Sequence, residues 1–183
     1  MLEIEIPEQE FFDNNKNEFF KVRSLKLQLE HSLISLAKWE AKWHKPFLGT
    51  EDKTLAEIQD YIRCMTLTKD VNPIYYRIIP ESSLKQISDY IHDPMSATWF
   101  SKDEEQKGKI GRREIITAEI IYYWMVTLNI PVQFEKWHLN RLITLIKVIN
   151  IKNAPSKKMK QSDILKQNAA LNKARRAKMK SKG

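Results

Sequence analysis

Four histidines and one cysteine are the side chains in this sequence best suited to hold a metal or to act as a base and a nucleophile, and their spacing limits what they can do. A metal site needs ligands that converge, as a rule with a pair at short spacing on one element. His31, His44, His92 and His138 are spread along the chain and Cys64 has no second cysteine, so no ligand pair exists. His138 falls in the middle of an apolar helical pattern, which is the setting of a core histidine. Cys64, in YIRCM, takes an inward position, and a nucleophilic role would need a neighbouring histidine that the spacing does not supply. Phosphate cradles need several glycines, so that backbone N–H groups can approach the anion. KGKIGRRE at 107–114 has two glycines and four bases ahead of a helix start, but it lacks the spacing of a nucleotide-binding loop and follows the repelling DEEQ. The carboxylates of Asp103 to Glu105 lie in that same polar loop, outside any recognisable cleft. The expectation is a protein with no catalytic, metal or cofactor site.

One stretch has instead the residue types of a contact surface. Residues 38–48 read KWEAKWHKPFL, with two tryptophans four apart among lysines. In a helix over residues 32–45, Leu33, Leu36, Trp39 and Trp43 share one broad arc, while Lys38, Lys42 and Lys45 lie near the opposite side. Glu40 interrupts the apolar arc, and Pro46 disfavours helix at Lys45 and ends it. Two readings stay open: an amphipathic helix with buried tryptophans and solvated lysines, or an aromatic and basic surface that grips a partner.

The elements that must position these residues follow from periodicity. LEIEI from Leu2 and LKLQLE from Leu25 alternate with period two, and FFDNNKNEFF between them sets a turn-rich centre between aromatic pairs, which predicts a hairpin or meander. Thr54 and Glu57 form a capping box that opens a helix to about Thr66, broken at Asn72-Pro73. A further helix spans 80–92 and stops at Asp93-Pro94; a polar loop follows from Ser101. Residues 112–128 are apolar on nearly every side of the wheel, which predicts an enclosed central helix. Residues 134–149 form a second helix with His138, Leu139, Leu142 and Ile146 on one face, packed antiparallel against it. The fold class expected is mainly α (α+β), with one globular domain over 1–155, β-rich to 31 and helical over 32–151, and a basic tail over 156–183.

Charge is concentrated in that tail. The whole chain of 183 residues is +8. Residues 152–183 hold eleven bases against one acid, Asp163, leaving 20 bases against 22 acids elsewhere. The tail has no aromatic residue, so base stacking is unsupported; it suits a sequence-independent electrostatic contact or a solubilising appendage. The longest apolar run, IIYYWMV from Ile120, is far short of the roughly 20 residues that span a bilayer. The acidic, alternating N-terminus is unlike a secretory leader, and the single cysteine suits a reducing compartment.

Four stretches carry a resemblance: SLISLAKWEAKWHKPFL from Ser32, DYIRCMTLTKDVNP from Asp60, PMSATWF from Pro94, and REIITAEIIYYWMVTLNIPVQFEKWHLNRLITLIKVINIKN from Arg113. Together with the KARRAKMKSKG ending, they resemble the tail assembly chaperones of long-tailed double-stranded DNA phages. The resemblance implies a non-catalytic, late-made assembly factor in the host cytoplasm, absent from the mature virion. Its implied partners are the aggregation-prone tape measure protein and, in those phages that make one, a frameshift-extended form of the chaperone itself. Such a chaperone needs exposed apolar surface and charge. Trp39, Trp43, Trp99 and Phe100 are the candidates for the first, and Lys173, Arg175, Arg176 and Lys178 for the second. The alternative is a small nucleic-acid-binding protein acting through the basic tail.

Overall fold

The N-terminal alternation builds two strand pairs, one inside the other. In the computed structural model, which describes residues 1–13, 17–49, 51–100, 115–154 and 161–179 and of residues 13, 20, 161–164, 167, 173 and 177 the backbone alone, β1 (Leu2–Ile6) pairs antiparallel with β4 (Leu25–Leu29). The register sets Ile4 opposite Leu27 and Ile6 opposite Leu25, burying Ile4, Ile6, Leu27 and Leu29 on one face. Glu3 and Lys26 take the other face, their charges 3.9 Å apart. Between these strands, β2 (Gln9–Asp13) and β3 (Glu18–Val22) form the expected hairpin as a separate pair rather than a continued meander. Its inner face is anchored by buried Val22 and by Gln9 Nε2, which donates to the Ile78 carbonyl. Phe12 and Phe19 are register partners on its outer face, ring centroids 4.9 Å apart and both exposed.

The chain is an α+β protein with seven α-helices among the described residues. Helix α1 (Leu33–Trp43) opens on a capping box made by Ser32 and Ser35, and closes where His44 turns left-handed, its N–H donating to the Glu40 carbonyl. That turn ends the helix two residues earlier than Pro46 alone would require. Helix α2 (Leu55–Met65) starts on the Thr54–Glu57 box. Asn72-Pro73 breaks the chain only to begin a one-turn helix, α3 (Ile74–Arg77), where the Asn72 side chain accepts the Ile74 N–H. Then follow α4 (Glu81–His92), α5 (Ala118–Thr127), a 3-10 turn at Val132–Lys136, α6 (Leu139–Asn153) and α7 (Gln161–Met179). The chain divides into two compact units, Met1–Lys152 and Asn153–Gly183.

The first unit has two hydrophobic clusters. One joins the inner faces of β1 and β4 to Trp39, Tyr61, Ile62, Met65, Ile79, Ile87 and Tyr90. The other joins Leu33 and Leu36 to Ala118, Ile121 and Met125 of α5 and to Leu139, Leu142 and Ile146 of α6. Helix α1 is common to both, turning Trp39 to one and the two leucines to the other, so the central helix is α1 and not the predicted 112–128 segment.

Three expectations need correction here. Residues 115–117 are not helical and the helix begins at Ala118, after an extended Thr117; residues 101–114, with the polar loop and KGKIGRRE, lie outside the described residues. Helix α5 packs chiefly on α1, buries one stripe only, and leaves Tyr123 66% and Val126 74% exposed, with Trp124 half-buried. A helix apolar all round is normally enclosed, but whether neighbours cover each side depends on contacts that the helix's own sequence does not contain. The predicted helix over 134–149 is divided, because the 3-10 turn occupies 132–136 and α6 starts at Leu139. His138 therefore precedes the helix instead of lying within it.

Candidate functional site

The KWEAKWHKPFL segment holds the fold's interior together. Trp39 is 1% exposed and its indole N–H donates to the Glu57 carbonyl of α2 at 2.9 Å. Its ring meets Phe47 edge-on at 5.1 Å, and Phe47 stacks on Tyr61 at 3.7 Å. Trp43, half-buried, donates its N–H to Asp60 Oδ2 at 2.9 Å. Lys42 reaches Asp60 Oδ1 at 2.7 Å and Lys45 reaches Glu57 Oε1 at 2.8 Å, so these lysines are not merely solvated. Trp39 is therefore core and not a contact residue, while Trp43 is half-buried with its polar edge occupied within the protein.

Glu40, which interrupts the apolar arc in sequence, has a structural use. It is buried, and its two oxygens accept the backbone N–H groups of Phe47 at 2.8 Å and Ala118 at 2.7 Å. The second is the first N–H of α5, an unpaired donor at a helix N-terminus that favours a negative charge, and the Thr117 side chain leaves it uncapped. One carboxylate thus clamps the turn after α1 to the start of α5. Glu40→Gln can accept at one of these N–H groups but presents an amide donor to the other, so a cost of about 1 to 3 kcal/mol is expected in urea denaturation. An unchanged midpoint would show that the clamp contributes nothing.

The carboxylates of α2 are tuned by the same contacts. Burial alone would raise Asp60, but hydrogen bonds from Lys42, Trp43 and Arg63 outweigh it and hold its carboxyl below the usual range. Glu57 is lowered to about 2, first by the Lys45 hydrogen bond and then by the Thr54 backbone N–H. Both are ionised structural partners.

The histidines do come together in part. His31 and His138, which are far apart in sequence, bury their rings 5.1 Å apart. His31 Nδ1 shares a 2.5 Å hydrogen bond with the Tyr61 hydroxyl, and His138 Nε2 bonds the Tyr90 carbonyl at 3.0 Å. The Tyr90 hydroxyl donates to Glu30, whose other oxygen receives the N-terminal ammonium at 2.8 Å. Burial, followed by the nearby His138, lowers His31 to about 3, and burial lowers His138 as well. Sequence reading found a core histidine at 138 but had no signal for this pairing, which only tertiary contact creates. No buried side-chain nitrogen or oxygen among the described residues lacks a hydrogen-bond partner. Burial raises the Cys64 thiol, the reverse of what a nucleophile needs. Among the described residues no group of three His, Cys, Asp or Glu side chains could hold a metal, and no helix is long and apolar enough to cross a membrane.

The exposed candidates lie elsewhere. Trp99 is 83% exposed, while the adjacent Phe100 is half-buried with Lys147 Nζ 6.0 Å above its ring. Their segment is fixed at its root. Asn140 of α6 donates to the carbonyls of Ile91 and Asp93, Asp93 caps the Met95 N–H, and Ser96 caps that of Thr98. Arg175, Arg176 and Lys178 are exposed on α7; the Lys173 side chain lies outside the description. Apolar exposure on α5, at Tyr123 and Val126, was not foreseen, because the helix was expected to be enclosed. Compared with protein-family models, with curated proteins and with solved structures, the chain finds no match.

Proposed function

We propose that this protein is a tail assembly chaperone of a long-tailed double-stranded DNA phage, which binds the tape measure protein and keeps it soluble while the tail tube assembles. The observation that supports this reading best is Trp99, a large aromatic held 83% in solvent by a segment whose root is tied down by hydrogen bonds. It stands in PMSATWF, and exposed Tyr123 and Val126 stand in the segment from Arg113, so two of the stretches that carry the family resemblance also carry unsatisfied apolar surface. A holdase requires such surface: it must compete with client self-association by covering apolar area, while its own core is complete without the client. The Met1–Lys152 unit carries two hydrophobic clusters of its own, to which Trp99, Tyr123 and Val126 do not belong. On this reading the protein acts in the host cytoplasm, does no chemistry, and stays out of the finished particle.

Co-expression with the tape measure protein tests this. The client is expected in the soluble fraction only when the chaperone is present, and the complex is expected to survive salt, since burial of apolar area is not screened. Trp99→Ser should cut the soluble client by at least half while the thermal midpoint of the chaperone stays where it was. If the client pellets equally with and without the protein, the proposal fails.

A further inference from the structure

Helix α7 is the strongest unexplained feature of the molecule. It runs for 19 residues, Gln161–Met179, as part of a compact unit of its own. Lys166, Arg175, Arg176 and Lys178 are exposed, and no ion pair among the described residues involves any of them. The large apolar side chains described there, Leu165, Leu171 and Met179, are exposed too. This helix therefore takes little stabilisation from packing, the source of most helix stability in folded proteins, and rests on its backbone hydrogen bonds and propensity. Among the described residues no acidic side chain pairs with its positive charge.

We propose that α7 is an arm that binds double-stranded DNA without sequence preference, lying in the major groove. Two features of the helix, and the groove shapes of the possible partners, select this occupant. At about 100° per residue, Arg175 falls opposite Lys166, with Lys178 and Arg176 on the two flanks, so charge faces every side of the helix. A flat acidic protein surface would use one of those sides, whereas the major groove admits a helix between two walls of phosphates. The segment 161–179 contains no aromatic residue, and single-stranded nucleic acid is held largely by stacking on aromatics. In A-form RNA the corresponding groove is too deep and narrow to admit side chains. The phosphates would also relieve the repulsion between Arg175 and Lys178, which lie three residues apart on the helix, so binding and helix formation reinforce each other. The arm belongs to the unit Asn153–Gly183, whereas the residues of the client surface proposed above belong to Met1–Lys152.

The test uses the full chain and a variant carrying K166Q, R175Q, R176Q and K178Q, titrated with random-sequence duplex DNA at two salt concentrations. With four phosphate contacts the logarithmic salt slope should be near −3.6, a loss of roughly 150-fold in affinity between about 50 and 200 mM salt. The variant should bind more than 100-fold more weakly at the lower salt and lose most of the slope, with an unchanged thermal midpoint because it alters exposed residues alone. Circular dichroism should show added helix when duplex DNA is mixed with the full chain. No binding at low salt overturns the proposal. So does a variant that binds as well as the full chain, which would place the contact elsewhere. Equal competition by polyglutamate or by single-stranded DNA would replace duplex DNA with an acidic protein or a single strand as the partner.

Discussion

Trp39→Ala is expected to lower the unfolding free energy by about 3 to 5 kcal/mol, the range for removing a fully buried aromatic side chain. The indole is enclosed by Trp43, Phe47 and Tyr61, and three elements meet on it: α1 that carries it, α2 through the Glu57 carbonyl, and the turn that brings Phe47. Removing it leaves a void among rings that cannot close over it without unstacking Phe47 from Tyr61. The Glu57 carbonyl also loses a donor. Urea denaturation followed by far-ultraviolet circular dichroism measures the change. Trp99→Ser supplies the contrast, with no loss of stability, because that side chain is already in water. If client solubility is measured with both variants, Trp39→Ala should lose it together with the fold and Trp99→Ser without losing the fold. A Trp39→Ala midpoint within experimental error of the parent would mean that the indole is not enclosed.

Stability should fall with acid well before the carboxylates titrate. His31 is neutral in the folded protein, where its pKa is lowered from 6.5 to about 3. Between those values the unfolded chain binds a proton that the folded chain excludes, so the contribution is complete above pH 6.5 and is lost as pH falls toward 3. The slope is about 1.4 kcal/mol per pH unit, or on the order of 3 kcal/mol between pH 7 and 4.5. His138, lowered in the same direction by burial, adds to the effect. Glu57 and Asp60, both held below their usual values, lose their contribution at lower pH, as they approach protonation. The neighbours of His31 confirm the sign: the Tyr61 hydroxyl bonds it, the His138 ring lies beside it, and burial outweighs all else. Denaturation curves at pH 7, 5.5 and 4.5 for the parent and for His31→Gln test this. The variant should start lower and fall less steeply, keeping the share of the slope due to His138. Parallel slopes would assign the acid sensitivity to other groups.

Local pattern determined much of the secondary structure. The two alternating strands, the hairpin between aromatic pairs and the Thr54–Glu57 box are written in spacings of two or three residues, where a side chain acts on its own backbone or its near neighbours. The α+β class follows from those spacings. Where sequence reading went astray, the answer depended on partners far along the chain. Glu40 looked like a flaw in an apolar arc until folding brought the Ala118 N–H to it across 78 positions. Lys42 and Lys45 looked solvated until α2 supplied Asp60 and Glu57. The two open readings of KWEAKWHKPFL differed only in whether α2 and the Phe47 turn would cover the indoles, a matter of packing and not of residue type. In α5 the same cause ran the other way: apolar residues on all sides were present in sequence, yet α1 covers one stripe, and the exposed Tyr123 and Val126 are a property of the assembled fold. Residue types and short spacings set what each segment can become; which of its faces meets another segment, and which is left to water, was decided by contacts between segments distant in the chain.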